Sequence, residues 1–276
     1  MNCAAKCHAI SAKATCQTAA AADRSLIMSG LNFLGGKIRL AQAQTGHRAG
    51  TDAVLLASTV APSFDGHIVD AGAASGAVGL SVAARAPRSS VELIEIDSEA
   101  LALARDNVAA NGMEHRVSVR AGDLLGDFKA REAAGLTAAK ADLVLTNPPF
   151  FDENQMRVAK DPAKQRAHIM PENGLERWIL ACHALLKPKG ELIMIHRADA
   201  VPALLTAMSG RFGNLKVLPV YPRRGSPATR ILIGGVKESR APFVLLPGLI
   251  LHESDGKFTP ETEALHRGTA SLKGWL

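Results

Sequence analysis

Aromatic side chains are scarce: phenylalanine, tryptophan and tyrosine together make up 4% of the 276 residues, and there is one tyrosine. Any core must therefore be packed from aliphatic residues. An apolar content of 47% supplies enough of them for a sizeable domain. Cysteine is nearly absent as well. Of four cysteines, Cys3, Cys7 and Cys16 lie close to the N-terminus and only Cys182 lies in the body. No C-x-x-C pair occurs, so the usual zinc-ligand spacing is missing and no metal is expected. A chain able to bury its own core does not need a disulfide framework either. Cys182 is expected to pack as a small apolar residue in a helix. No run is long and apolar enough to span a bilayer. The basic, Ala-rich N-terminus has only Ala19–Ala22 to offer, too weak for a signal-peptide core. A cytoplasmic protein without a membrane partner is the expectation. The formal net charge of +6 permits an anionic partner without demanding one.

Residues 1–30, rich in Ala, Ser and Lys, read as a poorly ordered extension. The domain proper is expected over 31–253, followed by a C-terminal tail, 254–276. Within the domain, strand and helix patterns alternate. Ile68–Asp70, Val91–Ile96, Val117–Ala121, Leu143–Thr146 and Glu191–Ile195 read as strands. Ala77–Arg85, Ser98–Asn111, Leu175–Leu186 and Val201–Met208 read as helices. Asp52 or Thr51 is a plausible N-cap for an earlier helix starting at Asp52, and Asp97 for the one starting at Ser98. Lys187-Pro188-Lys189-Gly190 reads as a turn. Lys216–Val220 and Arg230–Val236 have no helix between them and read as an antiparallel pair. The fold class is α/β: a Rossmann-like, doubly wound sheet of seven strands, mostly parallel, with a C-terminal antiparallel hairpin.

Two loops carry the chemistry. Asp70-Ala71-Gly72-Ala73-Ala74-Ser75-Gly76 lies between the first strand and its helix, where the chain must turn sharply and let a ligand approach the backbone. The pattern is D-x-G-x-A-x-G, not the G-x-G-x-x-G of dinucleotide phosphates. A carboxylate at Asp70 would repel a pyrophosphate but suits a cationic amino-acid group, which points to S-adenosylmethionine (SAM) rather than NAD. Glu95 ends the second strand and is placed for ribose hydroxyls. Asp123 follows the third and is placed for the adenine amino group. The other loop is Asn147-Pro148-Pro149-Phe150, just past the fourth strand. Its prolines lack N–H groups and cannot continue a ladder, so the chain is stiffened at the carboxyl edge of the sheet. The Asn147 amide, the Pro148 carbonyl and the flat Phe150 ring together suit a planar group bearing –NH2.

Over roughly residues 45–236 the chain resembles class I SAM-dependent methyltransferases, with Ala74 standing where the family usually has a second glycine. The resemblance implies that Asp70, Gly72, Gly76, Glu95 and Asp123 hold SAM and that the Asn147–Phe150 motif serves an amide or exocyclic-amine nitrogen. The segment Gly46-His47-Arg48-Ala49-Gly50-Thr51-Asp52-Ala53-Val54-Leu55-Leu56-Ala57 looks like that of bacterial tRNA(Val) adenine-N6 methyltransferases. There it covers the methionine end of SAM, which adds Thr51 and Asp52 to the expected cofactor site. RNA, and specifically tRNA, is then the expected partner. A protein glutamine N-methyltransferase and a small-molecule or O-methyltransferase on the same fold stay open. Basic residues at Arg157, Lys160, Lys164, Arg166 and His168, and again at Arg223, Arg224 and Arg230, are candidate phosphate contacts.

Overall fold

The computed structural model describes residues 27–43, 50–137, 139–149, 173–272 and 274–275. A hairpin of β1 (Ile27–Phe33) and β2 (Ile38–Ala43) comes first and forms its own small sheet. Helix α1 (Thr51–Ala57) leads to the main body. There β3 (His67–Ala71), α2 (Ala77–Arg85), β4 (Ser90–Glu95), α3 (Ser98–Ala110), β5 (Val117–Ala121), α4 (Phe128–Ala133) and β6 (Ala141–Thr146) alternate. They are followed by α5 (Gly174–Leu185), β7 (Leu186–Arg197), α6 (Val201–Met208), β8 (Phe212–Arg223) and β9 (Arg230–Lys237). The chain closes with β10 (Val244–Leu245), β11 (Leu249–His252) and α7 (Pro260–His266).

The expected seven strands form the order β5-β4-β3-β6-β7-β9-β8, parallel except for β9, which runs antiparallel to both β7 and β8. The sheet is larger than the sequence implies, with nine strands among the described residues. Both additions, β10 and β11, pair in parallel along β8. Strands of two and four residues, flanked by Pro242 and Pro247, carry too little alternation to be read in advance.

Successive strand residues point to opposite faces, and two cores result. Ile68 and Leu143 pack with Leu55, Leu80 and Ala104 from α1–α3. Val69 and Val144 pack with Trp178, Ile179 and Leu204 from α5 and α6. Covered on both sides, β3 and β6 are almost continuously buried, as parallel strands between two helix layers are. Cys182 is fully buried in α5 as expected, and burial pushes its thiol up to about 12.

Two other expectations are revised. Lys187–Gly190 is not a free turn but lies within β7. The register jumps there from Ala141↔Leu186 to Leu143↔Glu191, with Lys189 at φ 66°, and Lys187 Nζ holds the bulge 2.7 Å from Asp142 Oδ1. Residues 254–276 contribute Leu265, Leu272 and Trp275 to the first core instead of trailing from it. The tip of the first hairpin meets this C-terminal segment. A Cβ on Gly35 would stand 2.9 Å from the Arg267 carbonyl, and Lys37 Nζ donates to Gly268 O.

Candidate active site

Strand order reverses at the β3/β6 junction: β4 lies outside β3, and β7 lies outside β6. Loops leaving two such strands diverge and open a crevice at the carboxyl edge. A cavity of about 330 Å³ occupies it, lined by Gly50–Ala53, Asp70, Gly72–Ser75, Ala77, Val78, Asn147 and Arg230.

The loop after β3 explains its own spacing. Gly72, Ala74 and Gly76 all sit in the left-handed region, at φ 76°, 48° and 85°. An alternation of left-handed residues bends the backbone tightly, and Trp178 leaves no room for a side chain on Gly72, where a Cβ would lie 3.0 Å from the indole. The amides of Gly72 and Ala73 donate to Ile94 O at 2.9 and 3.0 Å. Buried Asn107 on α3 donates through Nδ2 to both Ser75 O and Ala41 O at 2.9 Å, tying the loop to β2. Ala74 is the strained member. An L-residue in this region costs about 1–2 kcal/mol. Ala74→Gly is expected to raise stability by roughly 1 kcal/mol in urea unfolding with transfer retained. A lower stability would show that the Ala74 methyl earns its place by packing.

Asp70 is 1% exposed at the floor of the cavity. Its Oδ2 accepts from the Gly79 amide at 2.8 Å, in the first turn of α2. That supplies the capping bond that Gly76, with no side chain, cannot make. Gly79 is glycine for want of space, since a Cβ would fall 2.2 Å from Leu93 Cδ2. Burial, opposed by the Gly79 bond and assisted by the charge of Glu95, pushes the Asp70 carboxyl up to about 7.

Across the crevice, Thr146 Oγ1 donates to Ala71 O at 2.7 Å and accepts from Trp178 Nε1 at 3.0 Å. These bonds lock the ends of β3 and β6 together and fix the position of Asn147. The Asn147 Oδ1 atom is buried yet has no hydrogen-bond partner among the described residues. Pro148 is buried and Pro149 half-buried. Phe150, Arg157 and Arg166 lie outside the described residues, as do Lys160, Lys164 and His168.

Thr51 and Asp52 do line the cavity, but neither caps α1. The N-cap is Gly50, without a side-chain bond. The Asp52 carboxylate instead pairs with Arg230, Nε to Oδ2 at 3.0 Å. Arg230, a phosphate-contact candidate in the sequence, lines the cavity beside Asp52. Glu95 reaches the loop rather than the cavity wall. Its Oε2 accepts from Ala74 N at 2.8 Å, and its Oε1 accepts from Ile96 N and Asp97 N at 2.7 and 2.9 Å. Asp97 caps α3 as expected, accepting from Ala100 N. Asp123 is exposed beyond β5, accepting from Leu125 N at 2.8 Å. Arg224 sits in the β8–β9 turn, on a separate hollow.

A family model described as the methyltransferase small domain matches residues 48–220. The chain belongs to that family. It is 33% identical over 227 residues to the tRNA1(Val) (adenine(37)-N6)-methyltransferase of Porphyromonas gingivalis, covering 78% of this chain and 85% of that one. It is 28% identical over 217 residues to the protein of the same name from Aeromonas hydrophila, covering 77% and 85%. Among solved structures, one described as a predicted O-methyltransferase from Agrobacterium tumefaciens superposes with a TM-score of 0.66 at 33% identity, covering 80% of this chain and 98% of that one. The protein is thus a SAM-dependent methyltransferase of Rossmann-like fold. The site suits the cofactor class: an ionisable carboxyl faces a cavity bounded by a side-chain-poor loop, as a sulfonium carrying an amino-acid tail requires. Among the described residues, no group of three or more His, Cys, Asp or Glu is placed to hold a metal. Nor, among them, is any helix long and apolar enough to cross a membrane.

Proposed function

We propose that this methyltransferase moves the methyl group of SAM to the exocyclic N6 of an adenine in RNA, and that the RNA is a tRNA. The observation that carries the reading is the buried Oδ1 of Asn147, without a partner among the described residues, on a residue that lines the same cavity as Asp70. A buried acceptor left unsatisfied costs about 1–3 kcal/mol, and a site that tolerates this cost has a donor to receive. An adenine amino group has two hydrogens to give, one to Asn147 Oδ1 and one to the Pro148 carbonyl. These contacts strengthen as positive charge develops on nitrogen, so they lower the barrier rather than merely binding the substrate. The nitrogen–carbon bond forms as the sulfur–carbon bond breaks, and the surplus proton on nitrogen leaves to water. Alignment is the enzyme's main task. Asp70 would face the cationic methionine end, with Thr51 and Asp52 over it, Glu95 at the ribose and Asp123 at the adenine of SAM. Phe150 would stack on the target base.

The relatives named as adenine-N6 methyltransferases support this choice. A protein glutamine amide offers the same –NH2 and is the second reading. A hydroxyl acceptor offers one hydrogen where the site has two acceptors, which disfavours O-methylation. The deciding experiment supplies labelled SAM with unmodified total tRNA, total protein and catechols in parallel, followed by nucleoside analysis. N6-methyladenosine is expected. Label in protein, or in no RNA nucleoside, would overturn the reading.

A further inference from the structure

A second hollow, of about 390 Å³, lies between the β8–β9 turn and β11. Tyr221, Pro227 and Ile250 give it an apolar floor, and Arg223, Arg224 and Ser226 give it a polar rim. Tyr221, the chain's sole tyrosine, packs closely on Gly248, where a Cβ would fall 2.3 Å from its Cε2. Arg223 and Arg224 are exposed, and neither forms an ion pair among the described residues. The turn that presents them is itself fixed, with Ser226 N donating to Arg223 O at 3.2 Å and Thr229 N to Val220 O at 3.0 Å. Among the described residues, no carboxylate lines the hollow.

Its place in the sheet matters as much as its lining. Thr146 pairs with Met194, Arg197 with Arg230, and Arg230 with Val220. The carboxyl end of β8 therefore lies toward the same sheet edge as Asn147, three strands across (about 15 Å) and, at Tyr221, about 10 Å further along at the usual strand spacing and rise. A polymer whose reacting unit sits at Asn147 can follow that edge to the hollow within a few nucleotides.

We propose that this hollow is a second subsite for single-stranded RNA: a base flanking the target stacks on Tyr221 while its phosphates meet Arg223 and Arg224. The proposal rests on the RNA reading above. It gives the ring and the two cations one ligand. Stacking on an aromatic face accepts any base, and guanidinium groups bind phosphate regardless of sequence. The subsite therefore adds affinity and register without choosing the target.

The test uses the full chain and a fluorescently labelled, adenine-containing single-stranded oligoribonucleotide, with SAM affinity as the check on folding. Tyr221→Ala is expected to weaken oligonucleotide binding about 5- to 160-fold, and Tyr221→Phe to restore it. The double variant Arg223→Ser/Arg224→Ser is expected to flatten the dependence of log K on log salt by about 1.4, the value for two phosphates on a single strand. The KM for tRNA should rise alongside. Tight binding by Tyr221→Ala, or an unchanged salt slope in the double variant, overturns the subsite. So does displacement of the oligonucleotide by polyglutamate that is indifferent to Tyr221→Ala. Transfer to RNA combined with binding blind to these residues defeats the subsite alone. Binding that depends on them, with no transfer to RNA, defeats the acceptor reading and leaves an RNA-binding hollow standing.

Discussion

Replacing Asn147 with alanine is expected to cut turnover by about 10²–10³ while leaving the SAM dissociation constant within about twofold. The separation is positional. Asn147 follows β6, whereas the loop assigned to SAM follows β3 and is anchored to β4 through Ile94 and Glu95. Removing an acceptor aimed at developing charge raises the barrier without touching the cofactor's own contacts. The same change should not lower the melting temperature. In the free protein, Asn147 Oδ1 is a buried acceptor with no partner among the described residues, so truncation deletes a desolvation cost instead of a bond. A variant that is inactive, binds SAM and is at least as stable as wild type is the pattern of a residue kept for chemistry. If Asn147→Ala methylates normally, the acceptor is not an –NH2 group, and O-methylation becomes the leading reading. If it loses SAM affinity as well, Asn147 belongs to the cofactor site.

The parts of this site legible in sequence are those whose physics is local. Gly72 and Gly76 announce a backbone that must enter the left-handed region, and the apolar run Ala141–Thr146 announces a strand covered on both faces. Asp97 reads as a cap because capping is decided within three residues. Asp52 misleads for the opposite reason. Its partner Arg230 is 178 positions away, and nothing local shows that the carboxylate is taken. Segment 254–276 misleads likewise: of Leu265, Leu272 and Trp275 only Leu265 lies in α7, and their partners are distant in sequence, as Gly234 under Trp275 and Ser58 O bonded by Leu272 N show. The orphaned oxygen of Asn147 is the sharpest case. The sequence shows an asparagine at a strand end, but that its oxygen is left without a partner is a property only of the packed structure.

Asp70 is expected to make the SAM-free protein lose stability as pH rises. Burial, only partly offset by the Gly79 bond and reinforced by Glu95, holds its carboxyl at about 7 in place of the ordinary 3.8. Between those values the folded chain keeps a proton that the unfolded chain has released. The stability from this group is therefore complete below about pH 3.8, is lost as pH climbs through about 7, and is level beyond. At 1.36 kcal/mol per pH unit the whole span is worth roughly 4 kcal/mol. Asp70→Asn keeps the shape and can still accept from Gly79 N, but cannot ionise, so urea unfolding of that variant should be free of this slope. The cofactor reverses the balance. A sulfonium and an ammonium beside Asp70 favour the carboxylate, so SAM should bind more tightly from about pH 5.5 to about pH 7.5 and expel up to one proton as it binds. Calorimetry in buffers of different ionisation enthalpy measures that proton directly. In Asp70→Asn both the proton release and the rise in affinity should disappear, and SAM should bind more weakly at every pH in this range. Wild-type affinity that stays flat from pH 5.5 to 7.5 would mean that the buried carboxyl serves only α2 and does not meet the cation.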